Sequence, residues 1–146
     1  MYSTLFNLHH YLAYAVLLLV ALFTFYSLWG WLAGRDSMAK DKKLGLAALI
    51  AVHTQFTIGL VLYFVSPMTQ QAFQGFGLVM KNSITRLYAL EHPLVMLIAV
   101  VLVTVARSKT KRSDSNSAHK MNFILYAISL LLILSRIPWA KWLGLS

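Results

Sequence analysis

The chain has 146 residues, one domain's worth, with 59% hydrophobic and only 12% charged residues and a mean hydropathy of +0.67. A water-soluble domain carries about 25% charged residues, so this chain has half the charge needed to dress a water-facing surface, and a soluble globular class is excluded. It has no cysteine and a net charge of +9, which removes disulfides, Cys-ligated zinc, iron–sulfur clusters and covalently attached c-type haem.

The first apolar block runs from Leu8 to Ala33, longer than the roughly 20 residues a helix needs to cross the hydrocarbon. No basic residue precedes it and it ends in Gly34-Arg35 without a small-x-small site, so it is expected to be a spanning helix rather than a cleavable signal. The following loop carries Arg35, Lys40, Lys42 and Lys43 with Asp36 and Asp41, two carboxylates expected to be solvated among cations. The second block, Leu44–Val65, has small residues for helix packing at Gly45, Ala47, Ala48 and Ala51. Ser66-Pro67 ends it. Met68–Ser83 then mixes Thr69, Gln70, Gln71, Gln74 and Lys81 with Phe73, Phe76, Leu78, Val79 and Met80. Such a stretch reads either as an amphipathic lid along the interface or as an ordinary interfacial loop. The third block is Leu87–Ala106, and a Ser-rich connector over 108–117 leads to the fourth, Met121–Trp139. Asp114 and His119 in this second polar loop read as solvated.

Strands are excluded by block length and by the lack of alternation. The expected fold is all-α, an integral membrane four-helix bundle running up-down-up-down as a single domain over 1–146. The two loops after helices one and three hold Arg35, Lys40, Lys42, Lys43, Arg107, Lys109, Lys111, Arg112 and Lys120, nine of the thirteen lysines and arginines. Positive-inside bias makes that side cytoplasmic and puts both termini on the outer, periplasmic side of a bacterial inner membrane. The charge is thus a topology signal aided by anionic lipid. No aromatic-interleaved basic groove accompanies it, so nucleic acid is not an expected partner; the bilayer is.

Chemistry in such a chain falls to the few polar groups inside the helices. His9 and His10 open helix one, His53 lies in helix two, Glu91-His92 in helix three, and Arg136 near the end of helix four. At 1.5 Å per residue His92 lies roughly 9 Å inside the outer boundary, and His53 falls near the midplane. Histidines on three helices in one half of a bilayer suit a b-type haem, held non-covalently by two axial imidazoles with the macrocycle between helices. Arg136, Arg86 and Lys81 are the cations expected near its propionates. His92 is the leading ligand, with His9, His10 or His53 as the partner, and either one haem or two. Met96 and Ala99 continue the His92 face, Pro93 is expected to kink the helix, and Glu91 to orient a ring or carry a proton. Zinc or copper is the competing metal, without HExxH spacing in its favour. Histidines that merely hydrogen-bond across helices are the alternative to any cofactor.

The strings Leu8-His9-His10-Tyr11-Leu12-Ala13-Tyr14, His53-Thr54-Gln55 with Gly59 to Pro67, Leu87-Tyr88-Ala89-Leu90-Glu91-His92-Pro93 and Ser135-Arg136-Ile137-Pro138-Trp139 together resemble the small four-helix bacterial membrane proteins, common in Bacteroidetes, described as cytochrome b. That resemblance spans nearly the whole chain and implies haem binding. A fainter similarity to one four-helix half of haem A synthase implies His9 and His92 as ligands. Phe6 and His10 stand here where that family's Glu-x-x-His-Arg string has Glu and Arg. Three roles are thereby expected in order: an electron-transfer cytochrome between quinone and another respiratory membrane protein, a haem-biogenesis or haem-handling protein, and a cofactor-free subunit of a respiratory complex.

Overall fold

A computed structural model describes residues 1–145; Ser146, the last residue of the expected domain, and the side chain of Leu78 in the 68–83 segment lie outside the described residues. The chain forms α1 (Tyr2–Leu32), α2 (Ala39–Val65), α3 (Pro67–Gln74), α4 (Phe76–Lys81), α5 (Ser83–Arg86), a π-turn (Leu87–Glu91), α6 (His92–Thr110), α7 (Ser117–Ser135) and α8 (Trp139–Trp142), with no strand among the described residues. Four stretches are long and apolar enough to cross a membrane: Tyr2–Leu32, Ala39–Val65, the continuous Ser83–Thr110, and Ser117–Ser135.

The spans differ from the expected 8–33, 44–65, 87–106 and 121–139 at their ends, where side chains set the boundary. α2 begins five residues early, its first turn fixed by Asp41, whose Oδ2 accepts from the Met38 N–H at 2.7 Å. The third span begins at Ser83 because the Asn82 side chain accepts from the N–H groups of Ile84 and Thr85, each at 3.0 Å. The fourth stops at Ser135, three residues before Pro138.

All three prolines show one solution to one problem. A proline has no N–H to give the carbonyl four residues back, and a buried carbonyl left bare costs free energy. For Pro67 that carbonyl is Tyr63 O, and the Thr69 hydroxyl donates to it. For Pro93 it is Ala89 O, which the Tyr63 hydroxyl reaches from α2 at 2.9 Å. For Pro138 it is Leu134 O, taken by the Trp139 indole N–H at 2.9 Å.

α1 packs on α2 and α7, and α6 closes the ring against the same two helices. Cross-helix contacts give the sense of each pair. Tyr26 meets Asp41 near one end of α1, while His9 meets Gln55 near the other. Lys42 meets Arg107 and Tyr63 meets Ala89; Thr110 meets Asn122 and His92 meets Arg136. Neighbours therefore run antiparallel, and the 33–38 and 111–116 loops lie at one end (the loop end). His10 and Trp142, their rings 6.0 Å apart, mark the other (the termini end).

Many large apolar side chains face outward, and the interior is built mostly of small or polar residues around Phe23 and Tyr126. Leu18, Leu22, Phe25, Trp29 and Leu32 form an exposed stripe on α1 at helical spacing. The interior holds Val20, Ser27, Val103, Tyr126 and Ser129, and Gly45 lets the Phe23 ring lie directly on α2. This is what lipid selects, since tails are as apolar as leucine and close backbone approach is what joins helices there.

A histidine-lined cavity at the termini end

The four spans separate toward the termini end around a cavity of about 530 Å³, within the range of small-molecule and cofactor sites. His9 and His10 of α1, Gln55 and Gly59 of α2, and His92 of α6 all line it, with Met96 and Ala99 continuing the His92 face as its apolar wall. Thr69 and Met68 of α3 and Lys141 and Trp142 of α8 border its outer rim. The segment 68–83 forms α3 and α4, broken at Gly75 and Asn82, with Thr69, Ala72 and Val79 buried.

His92 is held by its neighbours. The π-turn accommodates an extra residue just ahead of it, and the His92 N–H bonds Leu87 O five residues back; such turns occur often at functional sites. Pro93 therefore marks a change in helix type. The imidazole Nδ1 lies 2.9 Å from the Arg136 carbonyl. A carbonyl only accepts, so Nδ1 carries the proton and Nε2 keeps its lone pair. Glu91 sits between two arginines, its Oε1 accepting from Arg86 Nε at 2.8 Å and its Oε2 3.4 Å from Arg136 Nε. The second contact is an ion pair without hydrogen-bond geometry, since Arg136 Nε has no hydrogen-bond partner. Glu91 thus steadies the residue whose carbonyl orients His92.

His9 is fitted into α2. Gln55 donates to the His9 carbonyl at 2.9 Å. Gly59 leaves the space the ring uses: a β-carbon there would lie 2.8 Å from His9 Cε1. His9 Nδ1 is buried without a hydrogen-bond partner. The rings of His9 and His92 are 6.4 Å apart between centroids and inclined at 81°. Two imidazoles on opposite sides of one metal, each nitrogen about 2.0–2.1 Å away as for zinc and roughly 1 Å from its own ring centre, have centroids about 6 Å apart. His10 instead joins an aromatic group, 5.3 Å from Tyr14 and 6.0 Å from Trp142.

The remaining expected site residues lie elsewhere. His53 does not line this cavity; it occupies a shallow groove on the outer face of α2 with Thr54 and Thr57. Its Nδ1 donates to Leu49 O at 2.9 Å and its Nε2 is 3.2 Å from Thr104 Oγ1 on α6. Arg136 and Arg86 are engaged by Glu91, and neither lines the cavity, nor does Lys81. The cation that does is Lys141, its ammonium 4.2 Å from the Phe6 ring centre. Among the described residues no three His, Cys, Asp or Glu side chains converge as a metal-binding group; the arrangement here is a pair.

The loop end corrects two expectations. Asp41 and His119, both read as solvated, are 4% and 2% exposed. Asp41 receives a two-pronged bond from Arg35, both contacts 3.0 Å, and the Tyr26 hydroxyl donates to the same carboxylate. This hydrogen bond to Asp41 is the main cause holding the Arg35 guanidinium above its ordinary pKa. His119 belongs to α7, and its Nε2 approaches Asp41 Oδ2 at 3.7 Å. It packs so closely on Gly30 that a β-carbon there would lie 2.7 Å from its Nδ1. The Asn116 amide donates to the carbonyls of Gly30 and Arg35 at 3.0 Å each, closing the end of α1. Asp114 does remain exposed, paired with Lys42.

Comparison with family models, curated proteins and solved structures finds no match to this chain.

Proposed function

We propose that this chain is a multi-pass b-type cytochrome of a bacterial inner membrane, binding one haem b non-covalently between His9 and His92 for electron transfer. The observation that carries the reading is the pairing of these two histidines, 6.4 Å apart on the wall of a largely apolar cavity. Bound haem would supply one-electron chemistry. The protein's part is to bind and orient. His92 offers Nε2 because the Arg136 carbonyl holds its Nδ1–H, and such a partner fixes the ring and raises its basicity. His9 is seated in the Gly59 recess with its ring inclined at 81° to that of His92. Met96 and Ala99 offer flat apolar contact, and Lys141 is the cation within reach of propionates. The nine cations of the loop end argue that this end is cytoplasmic, so the haem would lie in the outer half. Its electron partners would be quinone or another respiratory membrane protein. The resemblance of the sequence strings around His9, His92 and Arg136 to small cytochrome b proteins and, faintly, to half of haem A synthase is part of what motivates this reading.

A haem-handling role, with haem as cargo, is the second reading, and the exposure of Leu60, Phe64, Leu94 and Leu97 along the cavity's border favours it. The test is a reduced-minus-oxidised spectrum of the purified protein with pyridine haemochrome quantification. A sharp α-band, near one b haem per chain, absent in His92→Ala and His9→Ala with helicity retained, is the expected result. A folded but colourless protein made with ample haem would sink the proposal.

A further inference from the structure

The cavity's border is not confined to the bundle interior. Leu60 and Phe64 of α2 and Leu94 and Leu97 of α6 border it, yet all four are between 45% and 61% exposed. They flank one seam, α2 against α6, within the apolar length of both spans. Hydrogen bonds close that seam at two heights: Tyr63 to Ala89 O at 2.9 Å toward the termini end, and His53 with Thr104 at 3.2 Å nearer the middle. Ten residues of α2 separate the two, about 15 Å of helix. Between them no hydrogen bond crosses the seam among the described residues. Lipid tails supply no hydrophobic force to draw the helices together there.

The termini end is partly covered, with Tyr2, Met68 and Lys141 exposed on its rim. Trp142 of α8 lies against Tyr14, ring centroids 4.2 Å apart and tilted at 37°, Lys141 lies over Phe6, and α3 is tied to α2 through Thr69 on Tyr63 O. We infer that the cavity exchanges its ligand sideways, with the bilayer, through the α2/α6 seam between Leu60 and Leu97. The identity of the ligand as haem rests on the function proposed above; the route rests on the seam. A flat apolar ring system dissolved in lipid would slide edge-on between the helices, its anionic edge drawn to Lys141 at the rim.

The absence of cysteine makes a direct test available. A Leu60→Cys/Leu97→Cys variant, reconstituted in lipid vesicles and bridged by a cleavable bis-thiosulfonate, is supplied with lipid-dissolved haemin and followed by absorbance. Bridged protein should load at least about tenfold more slowly, as a blocked gate requires, and reductive cleavage of the bridge should restore the rate. Loading at the unbridged rate overturns the inference. A second readout needs no haem. Met96→Cys, at a half-buried cavity position, should react with a lipid-soluble maleimide and not with a membrane-impermeant one. Reaction with the impermeant reagent, or with neither, overturns the route. A chain that takes no haem in any form defeats the proposed function, and the labelling then decides the route by itself.

Discussion

At each end of the bundle a histidine lies against a glycine of the neighbouring helix, His119 on Gly30 and His9 on Gly59, with the missing β-carbon less than 3 Å from the ring in both places. What surrounds the rings differs. Around His119 the space is filled by Tyr26, Asp41, Arg35 and Asn116, and the contacts tie α1, α2 and α7 together. Around His9 the helices stand apart, and the ring borders a cavity. The same local device serves cohesion at one end and leaves room for a ligand at the other. Burial of a histidine in a membrane bundle thus says little about its role until the space beside it is known.

The contrast predicts that changes at the loop end act on stability and changes at the termini end on binding. Asp41→Ala leaves the Arg35 guanidinium, a fifth exposed, without its carboxylate and should cost about 3 kcal/mol, the low end for broken buried pairs; denaturant unfolding in detergent measures it, and a negligible loss would erase the distinction between the ends. The charge of Arg35 itself brings no pH dependence near neutrality. A folded-state pKa raised above arginine's already strongly alkaline unfolded value gives stability fully present below the latter and lost only as pH climbs through the former. Unfolding midpoints attributable to this pair should be flat across neutral pH. Gly30→Ala overpacks a filled site and should cost about 1–3 kcal/mol. Gly59→Ala pushes His9 toward open space, so it should cost less stability than Gly30→Ala yet weaken haem retention; titration and unfolding of the two variants side by side separate the effects. Tyr63→Phe strips the donor from Ala89 O and should cost about 1–3 kcal/mol for the bare carbonyl. Smallest of all, Thr104→Val removes the His53 contact at about 0.6 kcal/mol, the usual worth of an interhelical hydrogen bond in a membrane.

The four spans were legible because lipid demands long apolar blocks, and no packing detail changes that. The misread residues are those decided by one turn of phase or by a partner distant in sequence. His53 is one residue along from Val52, which is buried in the series Gly45, Ala48, Val52. One residue is about 100° of helix, enough to put the imidazole on the outer face, while Gln55 and Gly59 reach the cavity. The spacing of those small residues already marked the inner face. His119 and Asp41 carried no such mark: both stand among polar neighbours in the sequence, and Gly30 and Arg35 are brought against them only by folding. Lys141 was not among the expected site residues, since only the turn at Pro138 carries α8 back over the cavity.

The π-turn at Leu87–Glu91 makes the third span two helices out of step. An angular wheel drawn from Ser83 to Thr110 is discontinuous there, because the turn takes up one residue more than an α-helix would. Deleting a single residue from that turn should therefore yield a smoother helix that still crosses the membrane. The segment ahead of it would keep nearly its present facing, since the turn already absorbs the extra residue, and the loss would be local to the turn whose i→i+5 bond seats the His92 N–H on Leu87 O.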